Sequence, residues 1–204
     1  MPDEVWSAVM SVVAMPRQRW MAYHEIPVPA SLADYGVGVS LRCVPLRCTD
    51  GERDGEGVDD VAADRMGNID VMGGISTVHG WLMAMFCRRP QDGWQGHWRC
   101  VAYLRFPMDV SQPTELTVAM SWDEMQGELK RAGARDIVGT VSVIKDTGFG
   151  VELAHASGGC EMRVSWTPQM ADTGEGPDVG AQIESWTRFM HAVADDEEGA
   201  AVGR

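Results

Sequence analysis

Apolar and polar residues along this chain follow two spacings, and the order of those spacings predicts the architecture. Residues 4–14 put Trp6, Val9, Met10 and Val13 on one helical face, with Asp3 as N-cap and Pro16 as terminator. A period of two follows. It is strand-like from Trp20 to Ile26 and clear from Tyr35 to Val44, where Tyr35, Val37, Val39, Leu41 and Cys43 alternate with Gly36, Gly38, Ser40 and Arg42.

Gly80 to Arg88 and His97 to Phe106 read as a hairpin joined by Arg89 to Gly96, a stretch rich in turn formers. Trp81, Met83, Met85 and Cys87 alternate in one arm, and Trp98, Cys100, Ala102, Leu104 and Phe106 in the other. Leu82, Ala84, Phe86, Val101 and Tyr103 make the opposite faces apolar as well, which places the hairpin centrally in its sheet.

Ser121 and Glu124 then form a capping-box pattern, with Met120 able to staple to Met125. Trp122, Met125 and Leu129 mark the buried face of the helix this pattern starts, and Gly133 stops it. Two further strands are expected over Ile137 to Lys145 and Cys160 to Thr167. A third helix, capped by Asp178, carries Val179, Ile183, Trp186, Phe189, Met190 and Val193 as its apolar stripe.

The sum is an α+β fold: helix, three main strands, helix, two strands, helix. It forms a single domain over residues 1–194, with a mainly antiparallel sheet of about five strands and helices at the N-terminus, middle and C-terminus. Between Thr49 and Arg65 both patterns vanish, and seven acidic residues, Asp50 to Asp64, are mixed with glycines. Such a stretch has too little apolar surface to offset its ordering entropy, so a mobile acidic loop is expected at 49–65. Residues 195–204 are expected to be a disordered acidic tail.

Charge narrows the partners. With 30 acidic against 17 basic side chains, the net charge of −13 opposes phosphate backbones and anionic lipid. No nucleic acid and no membrane partner is expected. The apolar runs fall short of a membrane span and the N-terminus lacks a basic leader, which favours a cytoplasmic protein.

Cys43, Cys48, Cys87, Cys100 and Cys160 lack zinc-ligand spacing and lie mostly on strand patterns, where a reduced thiol packs as a small hydrophobe. No metal site and no cofactor is expected. His97 on its strand could meet Cys87 or Glu161 across the sheet, but a solvent-facing strand histidine is the expected reading. Thr147 to Gly150 lacks the phosphate-loop pattern and precedes no helix. No catalytic residue is assigned. Trp20, Trp94 and Trp166 do not fall readily on a core face, and aromatic residues concentrate at interface hot spots, so these three are the expected partner contacts.

Several segments carry a family resemblance: Ala119-Met120-Ser121-Trp122, Gly139-Thr140-Val141 with Thr147-Gly148-Phe149-Gly150, Arg163 to Pro168, Val101 to Arg105, and Glu25-Ile26-Pro27-Val28-Pro29. In these the chain resembles the actinobacterial domain-of-unknown-function family 3000, from about Val5 to Val193. The resemblance implies an uncharacterised family and carries over no site residue or ligand. The element order is also loosely similar to type III secretion chaperone-like proteins, which bind other polypeptides. The expected function is a non-enzymatic cytoplasmic protein-interaction or chaperone-like adaptor, monomer or homodimer, with a protein partner. The alternative is an enzyme or small-molecule binder whose site forms only in three dimensions.

Overall fold

The alternating segments pair into one sheet. A computed structural model of the chain describes residues 1–44, 78–108, 114–146, 157–171 and 175–202. The acidic stretch 49–65 and the Gly-rich 147–150 lie outside them. The elements are α1 (Asp3–Ala14), β1 (Met21–Ile26), β2 (Tyr35–Cys43), β3 (His79–Phe86), β4 (Trp98–Pro107), α2 (Thr114–Arg131), β5 (Arg135–Asp146), β6 (Ser157–Thr167) and α3 (Val179–Val202). The sheet is antiparallel throughout, in the order β1-β2-β3-β4-β6-β5. Among the described residues it has six strands, in keeping with the expected α+β fold, the segment ending at Ile26 pairing with β2 along its whole length.

The β3–β4 hairpin sits centrally, as its two apolar faces require. β6 inserts between β4 and β5, and α2 carries the chain over it. Alternation then sorts the residues. Leu82, Ala84 and Phe86 of β3, Cys100, Ala102 and Leu104 of β4, and Met162, Val164 and Trp166 of β6 join the buried side chains of α1, α2 and α3 in one core. All three helices therefore cover the same face.

α3 is the central helix of that layer. Its start is capped as expected, with Ala181 N donating to Asp178 Oδ1 at 2.9 Å. Val179, Ile183, Trp186, Phe189, Met190 and Val193 are buried. Gln182 is buried with them and fully used: Trp166 Nε1 donates to its Oε1 at 2.7 Å, while its own Nε2 donates to Ala132 O at 2.7 Å. One amide thus ties β6, α3 and the end of α2 together. The helical backbone continues to Val202, into the stretch expected to fray.

Two helix assignments need correction. In α1 the buried residues are Val5 and Ala8, whereas Trp6, Met10 and Val13 are exposed. α1 and α3 approach so closely that a Cβ at Gly180 would collide with Ser11 O, and Ser11 Oγ accepts from Gly180 N at 3.1 Å. Only the small-residue face of α1 fits that approach. Pro2, not Asp3, occupies the N-cap, without a side-chain bond.

In α2 the helix begins at Thr114, so Ser121 lies inside it and donates to Thr117 O at 3.0 Å. The capping box and the Met120 staple do not form, and Met120 is exposed. A helix already hydrogen-bonded from 114 onward leaves Ser121 no orphan donor to cap. The stop at Gly133, with φ of 74°, is where the spacing places it, and Met125 and Leu129 are fully buried.

Candidate functional site

The face of the sheet that no helix among the described residues covers, called helix-free below, is built from the residues alternating with the core. Strand pairing sets them in rows across the strands. One row runs Arg42, His79, Arg105, Glu161 and Ser142; the next runs His24, Ser40, Trp81, Tyr103, Arg163 and Thr140. A third runs Ile26, Gly38, Met83, Val101, Ser165 and Val138. Cross-strand neighbours in such rows stand about 5 Å apart, close enough to interact directly.

The middle row forms a stack. The Trp81 and Tyr103 rings lie 6.1 Å apart at an interplanar angle of 21°, and the Arg163 guanidinium covers the other side of Tyr103 at 5.9 Å. Glu161 holds the stack from the adjoining row: it pairs with Arg163 at 3.2 Å and Arg105 at 3.6 Å and accepts a hydrogen bond from Tyr103. Burial, then the Glu161 bond and charge, push the phenol up to about 12, against the opposing pull of Arg105 and Arg163. Tyr103 therefore stays a neutral donor at ordinary pH. Among the described residues, Arg105 Nε is buried and finds no acceptor.

The far end of this face is closed by loops. Val28 and Ala33 from the β1–β2 connection, and Cys87 and Trp94 from the β3–β4 connection, pack on Met83, Met85 and Val101. Beneath them Arg99 is buried, its NH1 donating to Thr167 Oγ1 (3.1 Å) and its NH2 to Ser165 Oγ (2.7 Å) and Asp136 O (3.3 Å). Desolvation lowers its pKa, partly offset by the nearby Asp136 charge. Across β2, β3, β4 and β6 the helix-free face carries four arginines and one carboxylate. On a chain of net charge −13 that is a local reversal of sign.

The three tryptophans expected at a partner surface have separate fates. Trp166 is fully buried under α3, stacked on Trp186 at 6.0 Å, because its strand parity faces the helices; it contributes nothing to a surface. Trp20 is half-buried against His191 at 4.1 Å, on the helix side. Trp94 is half-buried in the loop cluster at the margin of the open face. Trp81, Tyr103 and Arg163 were not singled out by sequence reasoning. The two apolar registers of the hairpin already held Trp81 and Tyr103, whereas Arg163 lies on β6 and only the pairing with β4 brings it beside them.

Burial raises the thiols of Cys43 and Cys160 to about 11 and Cys100 further still, so none is a thiolate near neutral pH. His97 Nδ1 lies 2.8 Å from the Cys87 carbonyl oxygen, so the ring meets backbone rather than the thiol. No group of three or more His, Cys, Asp or Glu among the described residues could hold a metal ion, and no described helix is long and apolar enough to cross a membrane. The arrangement can stack, hydrogen-bond and attract anions.

No curated protein and no solved structure matches the chain significantly. A family described as "Protein of unknown function (DUF3000)" matches residues 1–196. The matched span takes in all six strands and the first three quarters of α3, and the chain belongs to the DUF3000 family.

Proposed function

We propose that this protein is a non-enzymatic interaction module that docks a polypeptide segment of acidic and apolar character on the helix-free face of its sheet. The observation that carries the reading is the half-exposed Trp81–Tyr103–Arg163 stack within a cationic patch. Aromatic and arginine side chains dominate interface hot spots, and Met83 beside them adapts to varied apolar partners. The patch is built across neighbouring rows of several strands, an arrangement that suits a protein surface. The partner's acidic residues would meet Arg42, Arg105 and Arg163. Four unpaired cysteines among the described residues fit a reducing, cytoplasmic setting.

The test is selection from a displayed random-peptide library with the full chain, repeated with Trp81→Ser, Arg163→Glu and, as control, Met10→Ser on the exposed side of α1. Enrichment of acidic–apolar peptides that only the two face variants lose supports the reading. Equal binding by all variants sinks it, as does tight binding of a single-stranded oligonucleotide in place of peptide.

A further inference from the structure

An open sheet ends in two strands whose outer backbone donors and acceptors lack partners. Among the described residues they are β1 and β5. β1 is six residues long, contains His24 and Glu25, and is followed by Pro27 and Pro29. Short length, charge and proline all discourage further pairing. β5 has twelve residues and no charge from Ile137 to Ile144. Val138 is 56% exposed on the helix-free side and Val143 is 40% exposed on the helix side. Its protections lie at the ends, a register irregularity between Arg135 and Val138, with Asp136 at φ of 50°, and Lys145.

We propose that β5 is a self-association edge: a second copy of the chain adds its own β5 antiparallel to the first, across a two-fold axis at Val141. An antiparallel edge pair can be two-fold symmetric only about an axis perpendicular to the sheet, so opposed residues must share a face. The regular uncharged stretch, Val138 to Ile144, is centred on Val141. In that register Val138 opposes Ile144 of the second copy, Thr140 opposes Ser142, Gly139 opposes Val143, and Val141 opposes itself. β-branched pairs close both ends and hydroxyls meet hydroxyls, which are favourable cross-strand pairs. Moving the centre to Thr140 would set Asp136 against Ile144, and moving it to Ser142 would set Lys145 against Gly139, each a charge against the regular stretch; about Val141 the charges fall beyond it, Lys145 against Ile137 and Asp136 against Asp146 where the strand is already irregular. The sequence of the strand is matched to itself, which is why a second copy is the occupant.

The result is one sheet of twelve strands. A perpendicular axis keeps each face on its own side, so all helices lie on one side and both Trp81–Tyr103–Arg163 stacks on the other. On the reading given under Proposed function, such a dimer is bivalent and holds a two-site partner by effective concentration.

Sedimentation velocity of the full chain tests the edge independently of any partner. The wild type is expected to dimerise at concentrations on the order of 10 μM. Val138→Lys/Val143→Lys sets a lysine against Ile144 and another against Gly139 of the second copy, at positions exposed in the single chain, and is expected to weaken dimerisation about a hundredfold or more with unchanged circular dichroism. In case that variant fails to fold, Val141→Cys supplies a second measurement. Opposed antiparallel Cα atoms lie within disulfide range, so mild oxidation is expected to link two chains, whereas exposed Gln95→Cys gives none above wild type. A monomeric wild type overturns the proposal. So does a dimer that resists the lysines and does not crosslink through Val141→Cys, or one abolished by Trp6→Ser on α1. Peptide binding retained by the monomeric lysine variant keeps the functional reading separate from this one.

Discussion

Leu104 and Tyr103 are consecutive residues of β4, yet the pleat sends one under α3 and the other onto the open face. The helix-covered side is dry. Ser185, Thr187 and Gln182 are fixed there by specific bonds, Ser185 Oγ to Glu128 O at 2.6 Å and Thr187 Oγ1 to Glu184 O at 2.9 Å besides the two made by Gln182, while the buried Nε1 of Trp186 has no acceptor among the described residues. The open side instead keeps an ion-pair and stacking lattice around Glu161 half in water. Strands β3, β4 and β6 thus present stability on one side and recognition chemistry on the other: apolar side chains under the helices, and arginines, Glu161 and aromatic rings on the side without them.

The largest test of that difference is a matched pair of tryptophans. Trp186→Ala removes a ring that is fully buried and packed against Trp166 and Phe189, and is expected to cost about 3–5 kcal/mol in denaturant unfolding. Trp81→Ala, half-exposed, is expected to cost about 1 kcal/mol. Equal losses would mean that the open face is a second core, and would break the comparison.

Gln182→Leu comes next. It strands Trp166 Nε1 and Ala132 O in the interior, and the expected loss is roughly 2–3 kcal/mol, read from the same unfolding curves. The surface pair Arg163–Glu161 offers a contrast: Arg163→Ala is expected to change stability by less than about 1 kcal/mol. A larger loss there would make the Glu161 lattice a structural element.

Helix starts sharpen the picture further. Asp178→Ala removes the bond that begins α3 and is expected to cost about 1 kcal/mol. Ser121→Ala, which a capping box would make equally costly, is expected to stay within about 0.5 kcal/mol of wild type because Ser121 lies inside α2.

The smallest expected effect is a titration. Tyr103 folds with its pKa raised, so the stability it contributes is full below the ordinary phenol value near 10 and is lost as pH climbs from there through about 12. Tyrosinate absorbance against pH is expected to show one late-titrating tyrosine. In Glu161→Gln it titrates earlier while remaining above the ordinary value, since burial is the larger cause. A tyrosine that titrates normally in the wild type would place Tyr103 in open water.

Local signals carried much of the fold. The hairpin of β3 and β4, the Asp178 cap and the Gly133 stop were legible because each depends on residues within a turn or a strand of one another. The α1 face was misread because apolar size alone favours Trp6, Met10 and Val13, while the actual choice was made by how near Gly180 lets α3 come. Ser121 misled for a related reason: a capping motif marks a helix start only if the chain before it is not already helical. Of the tryptophans expected at a surface, Trp166 failed on strand parity, which becomes decisive only when the covered face is known.

The sequence by itself determined the alternation, and with it which residues share a side: Leu82 with Ala84, Trp81 with Met83, Tyr103 with Arg105. It also determined the uncharged run of β5. Only the tertiary structure decided that β6 enters between β4 and β5, bringing Arg163 and Glu161 beside Tyr103 and leaving β5 at the rim. Strand order is a choice among long-range pairings that cost similar chain entropy, and the packing of α3 against α1, α2 and the sheet selects one of them. Side-chain periodicity is a property of the backbone within each strand, while neighbours across strands are a property of the whole core.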